Sequence, residues 1–140
     1  MPDPDPDLHP TNAFDALVTT PAVAEARFAC ARHGTEAGVV RLHGSEAAGW
    51  TAVVRSVVSS TLQPIGAAAA GALREAIASG DARAIHRLDL EWAPFYCPEC
   101  GASYCEQCWR TVLEFDPELP GWLDEIRGTC PEGHERMLSD

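Results

Sequence analysis

The sequence contains no lysine: its ten basic residues are all arginine, they face 21 acidic residues, and the formal net charge is −11. No side chain in it can therefore accept a lysine-linked modification. Non-specific affinity for DNA or RNA comes mainly from counterions that basic residues release at phosphates. A chain with so few positive charges gains little from that release, so the composition argues against nucleic acid as the partner.

Long apolar runs are also missing. No run approaches the about 20 apolar residues that a helix needs to cross a bilayer. Residues 1–7 alternate proline and aspartate and have neither the basic nor the apolar region of a secretory signal. Without an export route, we expect no membrane association, a cytoplasmic location, and six cysteines that are reduced thiols and not disulfides.

The first residues also have little to bury. Residues 1–13 are rich in proline and aspartate, and such segments cannot bury enough apolar surface to offset the entropy of ordering. We predict a disordered tail there. The remaining length, residues 14–140, is typical of one small domain.

The sequence does contain a concentrated set of metal-ligating residues. Two Cys-x-x-Cys motifs stand four residues apart, one Cys-x-x-His pair precedes them, and one Cys-x-x-x-His pair follows. These spacings let both members of a pair face one ion, and zinc takes four such ligands in a tetrahedron. The candidate ligands are Cys30, His33, Cys97, Cys100, Cys105, Cys108, Cys130 and His134.

Eight ligands predict two structural zinc ions, each with three cysteines and one histidine. Two pairings are open. Sequential pairing gives one ion Cys30, His33, Cys97 and Cys100, and the other Cys105, Cys108, Cys130 and His134. A cross-brace, as in RING-type domains, joins the first pair to the third and the second to the fourth. Loop-closure entropy varies too slowly with length to decide, but the short spacer between the Cys-x-x-Cys motifs favours sequential pairing. The distant first pair could also be a coincidence, with His33 simply exposed.

The stretch between the first and second ligand pairs has its own pattern. Two runs rich in β-branched residues predict a β-hairpin over about residues 38–59, after a short strand at 26–29. Pro64 is expected to open a helix over about 64–79, and Asp81 to cap a second one over about 81–88. The C-terminal zinc region is expected over 95–138, and within it we expect one helical turn at 122–126. The predicted fold is a small α+β protein: a split zinc ribbon with a β-hairpin and a helical pair inserted.

Two resemblances follow from the ligand spacing. The run Cys97-x2-Cys100-x4-Cys105-x2-Cys108 resembles the central part of the in-between-RING zinc ribbons of RBR-type ubiquitin ligases, where neighbouring sites are filled sequentially. The longer stretch from residue 94 to residue 138 is similar to a family of small uncharacterised bacterial zinc-ribbon proteins, in which a histidine often stands at the position of Cys108. That resemblance implies a bacterial zinc protein with no established activity.

The ligand count also bears on function. Four protein ligands close a zinc site and leave no position for an activated water, and no cysteine is left as a nucleophile. We expect a non-enzymatic protein-interaction module. Trp122 lies in an acidic stretch and is the candidate contact for a basic partner, because tryptophan is enriched among interface hot spots. The alternatives are a RING-like scaffold that recruits a ubiquitin-type conjugating enzyme, and a nucleic-acid-binding zinc ribbon.

Overall fold

The computed structural model describes residues 22–56 and 60–139. The tail predicted at 1–13 lies outside these residues. The described part contains three antiparallel sheets and two α-helices, which confirms the α+β class. No helix in the described part of the chain is long and apolar enough to cross a membrane.

The first sheet has four strands in the order β1-β2-β3-β4. The strands are β1 (Ala24–Ala29), β2 (Glu36–Ser45), β3 (Gly49–Arg55) and β4 (Ser60–Ile65). The hairpin expected from the sequence corresponds to β2 and β3, which pair antiparallel from Val39 opposite Arg55 to Ser45 opposite Gly49. Both strands continue into the glycine-containing segment between them.

The prediction that Pro64 opens a helix is wrong. Pro64 lies in β4, opposite Thr51 of β3. Proline is tolerated there because β4 is an outer strand, where a missing N–H need not cost a ladder hydrogen bond. Helix α1 (Ala67–Ser79) starts only after Gly66.

The two helices end and begin as their sequences indicate. Gly80 takes the left-handed conformation, φ 69°, and its N–H donates to the Ile77 carbonyl, which ends α1. Helix α2 (Ala82–Leu88) follows at once, and the Asp81 carboxylate accepts a hydrogen bond of 2.9 Å from the Arg83 N–H. A short 3-10 helix (Leu90–Trp92) then leads to the metal-ligating region.

The main core lies between the first sheet and the helices. Strand alternation places Val40 and Leu42 of β2 on this side, and both are fully buried with Leu73 of α1 and Ile85 of α2. Phe95, also fully buried, stacks on Phe28 with ring centroids 5.3 Å apart. The first sheet and the segment that leads to the ligands therefore share one core.

The C-terminal region contains a small hairpin and the third sheet. The hairpin pairs β5 (Tyr96–Cys97) with β6 (Ala102–Ser103). The sheet has the order β7-β8-β9, with β7 (Arg110–Phe115), β8 (Leu123–Thr129) and β9 (Glu135–Ser139). The helical turn predicted at 122–126 is wrong, because residues from Leu123 onward pair with β7. Leu123 and Ile126 are apolar residues three positions apart and are locally compatible with a helical turn or with a strand. Pairing with β7 makes this segment a strand.

Candidate metal centres

The eight predicted ligands come together in two groups. Site 1 contains Cys30, His33, Cys105 and Cys108; site 2 contains Cys97, Cys100, Cys130 and His134. Within each group the ligand atoms all lie within 4.8 Å of one another. The prediction of sequential pairing is therefore wrong, since the first pair joins the third and the second joins the fourth. Two Cys/His groups could hold metal ions, one in each part of a cross-brace.

Backbone hydrogen bonds explain this pairing. The N–H of Ala31, next to Cys30, donates to the Ser103 carbonyl at 2.8 Å. Ser103 ends β6, so this bond places the first ligand pair beside the motif that follows β6. The motif that precedes it, beginning at Cys97 in β5, is left to face the pair contributed by the β8–β9 turn.

Tight turns aim the ligands of site 1. The Cys30 carbonyl accepts the N–H of Gly34 at 2.9 Å, and Gly34 takes the positive φ of 75° that this turn requires. The N–H of Arg32 points at the Cys30 sulfur at 3.4 Å. The Arg32 N–H favours a Cys30 sulfur that carries negative charge.

Site 2 repeats the design at its last pair. The Cys130 carbonyl accepts the N–H of Gly133 at 2.9 Å, where φ is 94°, and the N–H of His134 points at the Cys130 sulfur at 3.4 Å. In the first pair of the same site, Gly101 donates its N–H to the Cys97 carbonyl at 2.8 Å.

The distances between donor atoms fit one ion per site. A tetrahedral zinc with ordinary bond lengths separates two sulfurs by about 3.8 Å and a sulfur from a nitrogen by about 3.5 Å. In site 1, the Cys108 sulfur lies 3.6 Å from that of Cys30 and 3.8 Å from that of Cys105, and 3.4 Å from His33 Nδ1.

Site 2 shows the same spacing. The sulfurs of Cys100 and Cys130 are 3.7 Å apart, and His134 Nδ1 lies 3.7, 3.3 and 3.4 Å from the sulfurs of Cys97, Cys100 and Cys130. Both histidines thus present Nδ1. All six cysteines are free, and these separations far exceed the about 2.05 Å of a disulfide bond.

The thiol pKa values differ within each site. Burial acts to raise the pKa of Cys130, but the backbone N–H groups of His134 and Glu132, together with the side chains of Cys100 and Cys97, lower it to about 7. Burial raises the pKa of Cys97 to about 12. Burial, followed by the neighbouring sulfurs of Cys30 and Cys105, raises that of Cys108 to about 12. Sulfurs this close repel as thiolates, and a divalent cation between them would remove the repulsion.

Buried aromatic side chains surround the ligand residues. Trp109 packs edge-on against Tyr104 with centroids 6.2 Å apart, and its Nε1–H donates to the Tyr104 carbonyl at 3.2 Å. A side-chain hydrogen bond with Cys100 raises the pKa of the Tyr104 hydroxyl. Trp122 is different: it is 67% exposed.

Arg136 is a residue that the sequence did not single out. Its guanidinium donates to the carbonyls of Leu90 and Ala93, each at 3.2 Å, and to that of Tyr96. Burial lowers its pKa, and the charge of Cys97 opposes that shift. Arg136 therefore connects β9 to the segment that leads into site 2 and puts positive charge near Cys97. Nothing in the sequence distinguishes it from the other arginines.

His43 is the other unexpected residue. It lies in β2, is 2% exposed, and neither ring nitrogen has a hydrogen-bond partner among the described residues. Burial, and secondly the charge of Arg41, lower its pKa, while Glu25 opposes them. Burial of His43 is not predictable from the sequence, because strand alternation places it on the face of Arg41 and not on that of Val40 and Leu42.

The fold and the site define a small α+β protein with two interleaved Cys/His groups that could each hold a metal ion. The chain belongs to the family described as Domain of unknown function (DUF8328), whose model matches residues 20–140. The match includes all eight ligand residues. The family's description names neither a zinc ribbon nor an in-between-RING domain. No curated protein and no solved structure matches the chain.

Proposed function

We propose that each site holds one structural zinc ion and that the two ions stabilise a non-enzymatic protein-interaction module. The observation that carries this proposal is the cross-brace itself, two groups of four ligands with tetrahedral spacing. Thiolate and imidazole are the ligands that zinc prefers in structural sites, and four of them leave no open coordination position.

Elemental analysis of natively purified protein tests the metal. We expect two zinc ions per chain. Substitution with cobalt should give the absorption of tetrahedral cobalt bound to thiolates at both sites. Iron in place of zinc, or a single ion per chain, would contradict the proposal.

The interaction role is supported by apolar side chains left in solvent around the third sheet. Soluble proteins rarely expose contiguous apolar patches, and those that do often use them to bind partners. The exposed fractions lie between 49% and 67% at Val112, Leu113, Phe115, Leu119, Trp122 and Leu123. Acidic residues interleave with them at Glu114, Asp116, Glu118, Asp124 and Glu125. Such a surface suits a basic protein.

Affinity capture with the zinc-loaded chain tests this role. We expect basic proteins to be retained, and retention to fall in Trp122→Ala. Leu88→Ala is a matched control, because Leu88 is an exposed apolar side chain of α2, 43% exposed, outside this surface. Recovery of no protein by the zinc-loaded chain, together with robust turnover of a substrate, would contradict the proposal.

A RING-like scaffold is the second candidate, and the interleaved order of the ligand pairs favours it. Such a scaffold recruits a conjugating enzyme and needs no nucleophile of its own. Its test is the discharge of a ubiquitin-type protein from a charged conjugating enzyme to free lysine. The chain itself has no lysine, so self-modification at lysine cannot obscure the result. A discharge rate equal to that without the chain would exclude this candidate.

A further inference from the structure

Most outer strands of the two larger sheets carry a feature that hinders pairing with another chain. An outer strand presents unpaired N–H and C=O groups, and proteins protect such edges with prolines, charges, bulges or covering segments. Strand β1 has a register irregularity at Phe28/Ala29, and its Arg27 and Glu25 form ion pairs. Strand β4 contains Pro64.

The two outer strands of the third sheet differ from each other. Strand β9 is covered: Arg136 binds carbonyls of the segment from Leu90 to Tyr96, and Leu138 is fully buried. Within the described residues, strand β7 has neither a proline nor a covering segment, and its charged residues are Arg110, at its start, and Glu114. All six of its residues, Arg110–Phe115, are exposed, none is proline, and its one irregularity comes at the last step, Glu114/Phe115.

One face of β7 has exposed apolar side chains beside a residue of β8 that packs against the hydrophobic core. Leu113 lies opposite Ile126 of β8, and Ile126 packs against the core. Phe115 lies opposite Leu123. Leu113, Phe115 and Leu123 are 54%, 52% and 49% exposed. The apolar face therefore lacks a covering layer in the described part of the chain.

The charge of this hairpin has one sign. Between Thr111 and Ile126 every charged residue is acidic. Arg127, at the end of this stretch, pairs with Glu125 at 2.8 Å and leaves the tip acidic. A second copy of the chain would bring the same acidic hairpin and a formal charge of −11, so like charges would oppose its docking.

We propose that β7 accepts an extended segment of a basic partner protein as an additional strand. Main-chain hydrogen bonds to the open edge give affinity in this mode of recognition, and alternate side chains give specificity. Apolar residues of the segment cover Leu113 and Phe115, and its arginine or lysine residues meet Glu114 and Asp116. This inference rests on the proposed interaction role and specifies the edge and the partner that serve it.

Selection from a displayed library of random short peptides, with the zinc-loaded full chain as target, tests the proposal. We expect enriched peptides to alternate apolar with basic residues. Their affinity should fall about tenfold or more in Phe115→Ser, as at a binding hot spot. Leu62→Ser is the matched control, because Leu62 is an exposed apolar residue, 36%, on the outer strand β4, and it should change nothing. Two zinc ions in each variant verify folding.

Hydrogen exchange then separates strand addition from docking by side chains alone. A bound strand should protect amides of β7, whereas side-chain docking should leave them unchanged and would overturn the proposal. Enrichment of acidic peptides would overturn it too, as would a chain dimer that Leu113→Ser dissociates. Peptides that bind but ignore Phe115→Ser would refute the β7 site and preserve the interaction role. Failure to enrich any peptide would refute the site, and failure of affinity capture as well would refute both.

Discussion

Site 1 and site 2 have the same donors and different places in the chain. Site 1 joins Cys30, at the end of β1, to Cys108, which is 78 positions away. Site 2 takes all its ligands from the C-terminal region, and Cys97 and His134 are only 37 positions apart. Site 1 therefore connects the first sheet to the C-terminal region, whereas site 2 organises that region itself.

The two sites also differ in their surroundings. His33 of site 1 is exposed, and a cavity of about 410 Å³ opens beside Cys105. Cys97 of site 2 is fully buried, and Arg136 fastens the strand next to it. No ligand of site 2 lies on a strand of the first sheet or on either α-helix. Loss of each site should thus have a distinct structural consequence.

The largest effect is expected for Cys97→Ser. Zinc should fall by at least one ion per chain, and residues 95–139 should exchange their amide hydrogens rapidly. Structural zinc supplies on the order of 10 kcal/mol in small zinc domains, and the third sheet has little other core, since Leu138 is its one fully buried side chain among the described residues. Retention of two ions would show that Cys97 is not a ligand.

Cys30→Ser should have a smaller and more local effect. Zinc should fall from two ions to one. The first sheet and site 2 should stay folded, because large apolar side chains such as Leu42, Leu73 and Ile85 form the main core and Cys30 is not a ligand of site 2. Elemental analysis and hydrogen exchange measure this. Ala31→Ser, at the exposed next residue, is the control and should retain two ions. A wild-type chain with one ion, unchanged by Cys30→Ser, would leave Cys30 as a possible reactive thiol.

The sequence predicted which residues come together better than how they group. Fixed short spacings within each pair are local, so all eight members of the two groups could be named from the sequence. The grouping depends on the hydrogen bond from Ala31 to Ser103, which joins segments far apart in the chain. Local spacing contains no information about that bond.

The errors in secondary structure have the same origin. Pro64 is compatible with the first turn of a helix and with an outer strand, and only the pairing of β4 with β3 decides. Leu123 and Ile126 likewise fit one helical turn until β7 is placed beside them. The end of α1 and the start of α2 could be predicted because Gly80 and Asp81 act on their own neighbours.

Two glycine substitutions should distinguish the shared core from the third sheet. An added Cβ at Gly38 would overlap the Phe95 ring, and one at Gly128 would press on Leu138 and Trp109. We expect each alanine variant to lose about 1–3 kcal/mol of unfolding free energy, as overpacked cores do. Gly38→Ala should speed amide hydrogen exchange where the first sheet packs against Phe95, and Gly128→Ala should speed it in the third sheet.

Gly71→Ala is the control for both. Gly71 lies in α1 with open space around it, and alanine is better than glycine inside a helix by about 1 kcal/mol. This variant should therefore be slightly more stable than the wild type. Equal protection of all regions in Gly38→Ala would show that Phe95 does not couple the two parts.

The smallest effect concerns His43, which belongs to neither site. Burial lowers its pKa, and Arg41 adds to the shift while Glu25 opposes it. A histidine with a lowered pKa in the folded state binds fewer protons there than in the unfolded chain. Its contribution to stability is complete above the unfolded pKa of about 6.5 and is lost as the pH falls below that value, by at most about 1.4 kcal/mol per pH unit.

His43→Leu removes the titratable ring and keeps an apolar side chain in its place. We expect the variant to lose less unfolding free energy than the wild type between neutral pH and pH values below the unfolded pKa, with zinc present in excess so that both proteins keep their ions. Proton NMR of the His43 ring should give a pKa below its ordinary value. Identical pH slopes in the two proteins would mean that His43 is solvated or partnered, and that the first sheet contributes no pH dependence of its own beside that of the metal sites.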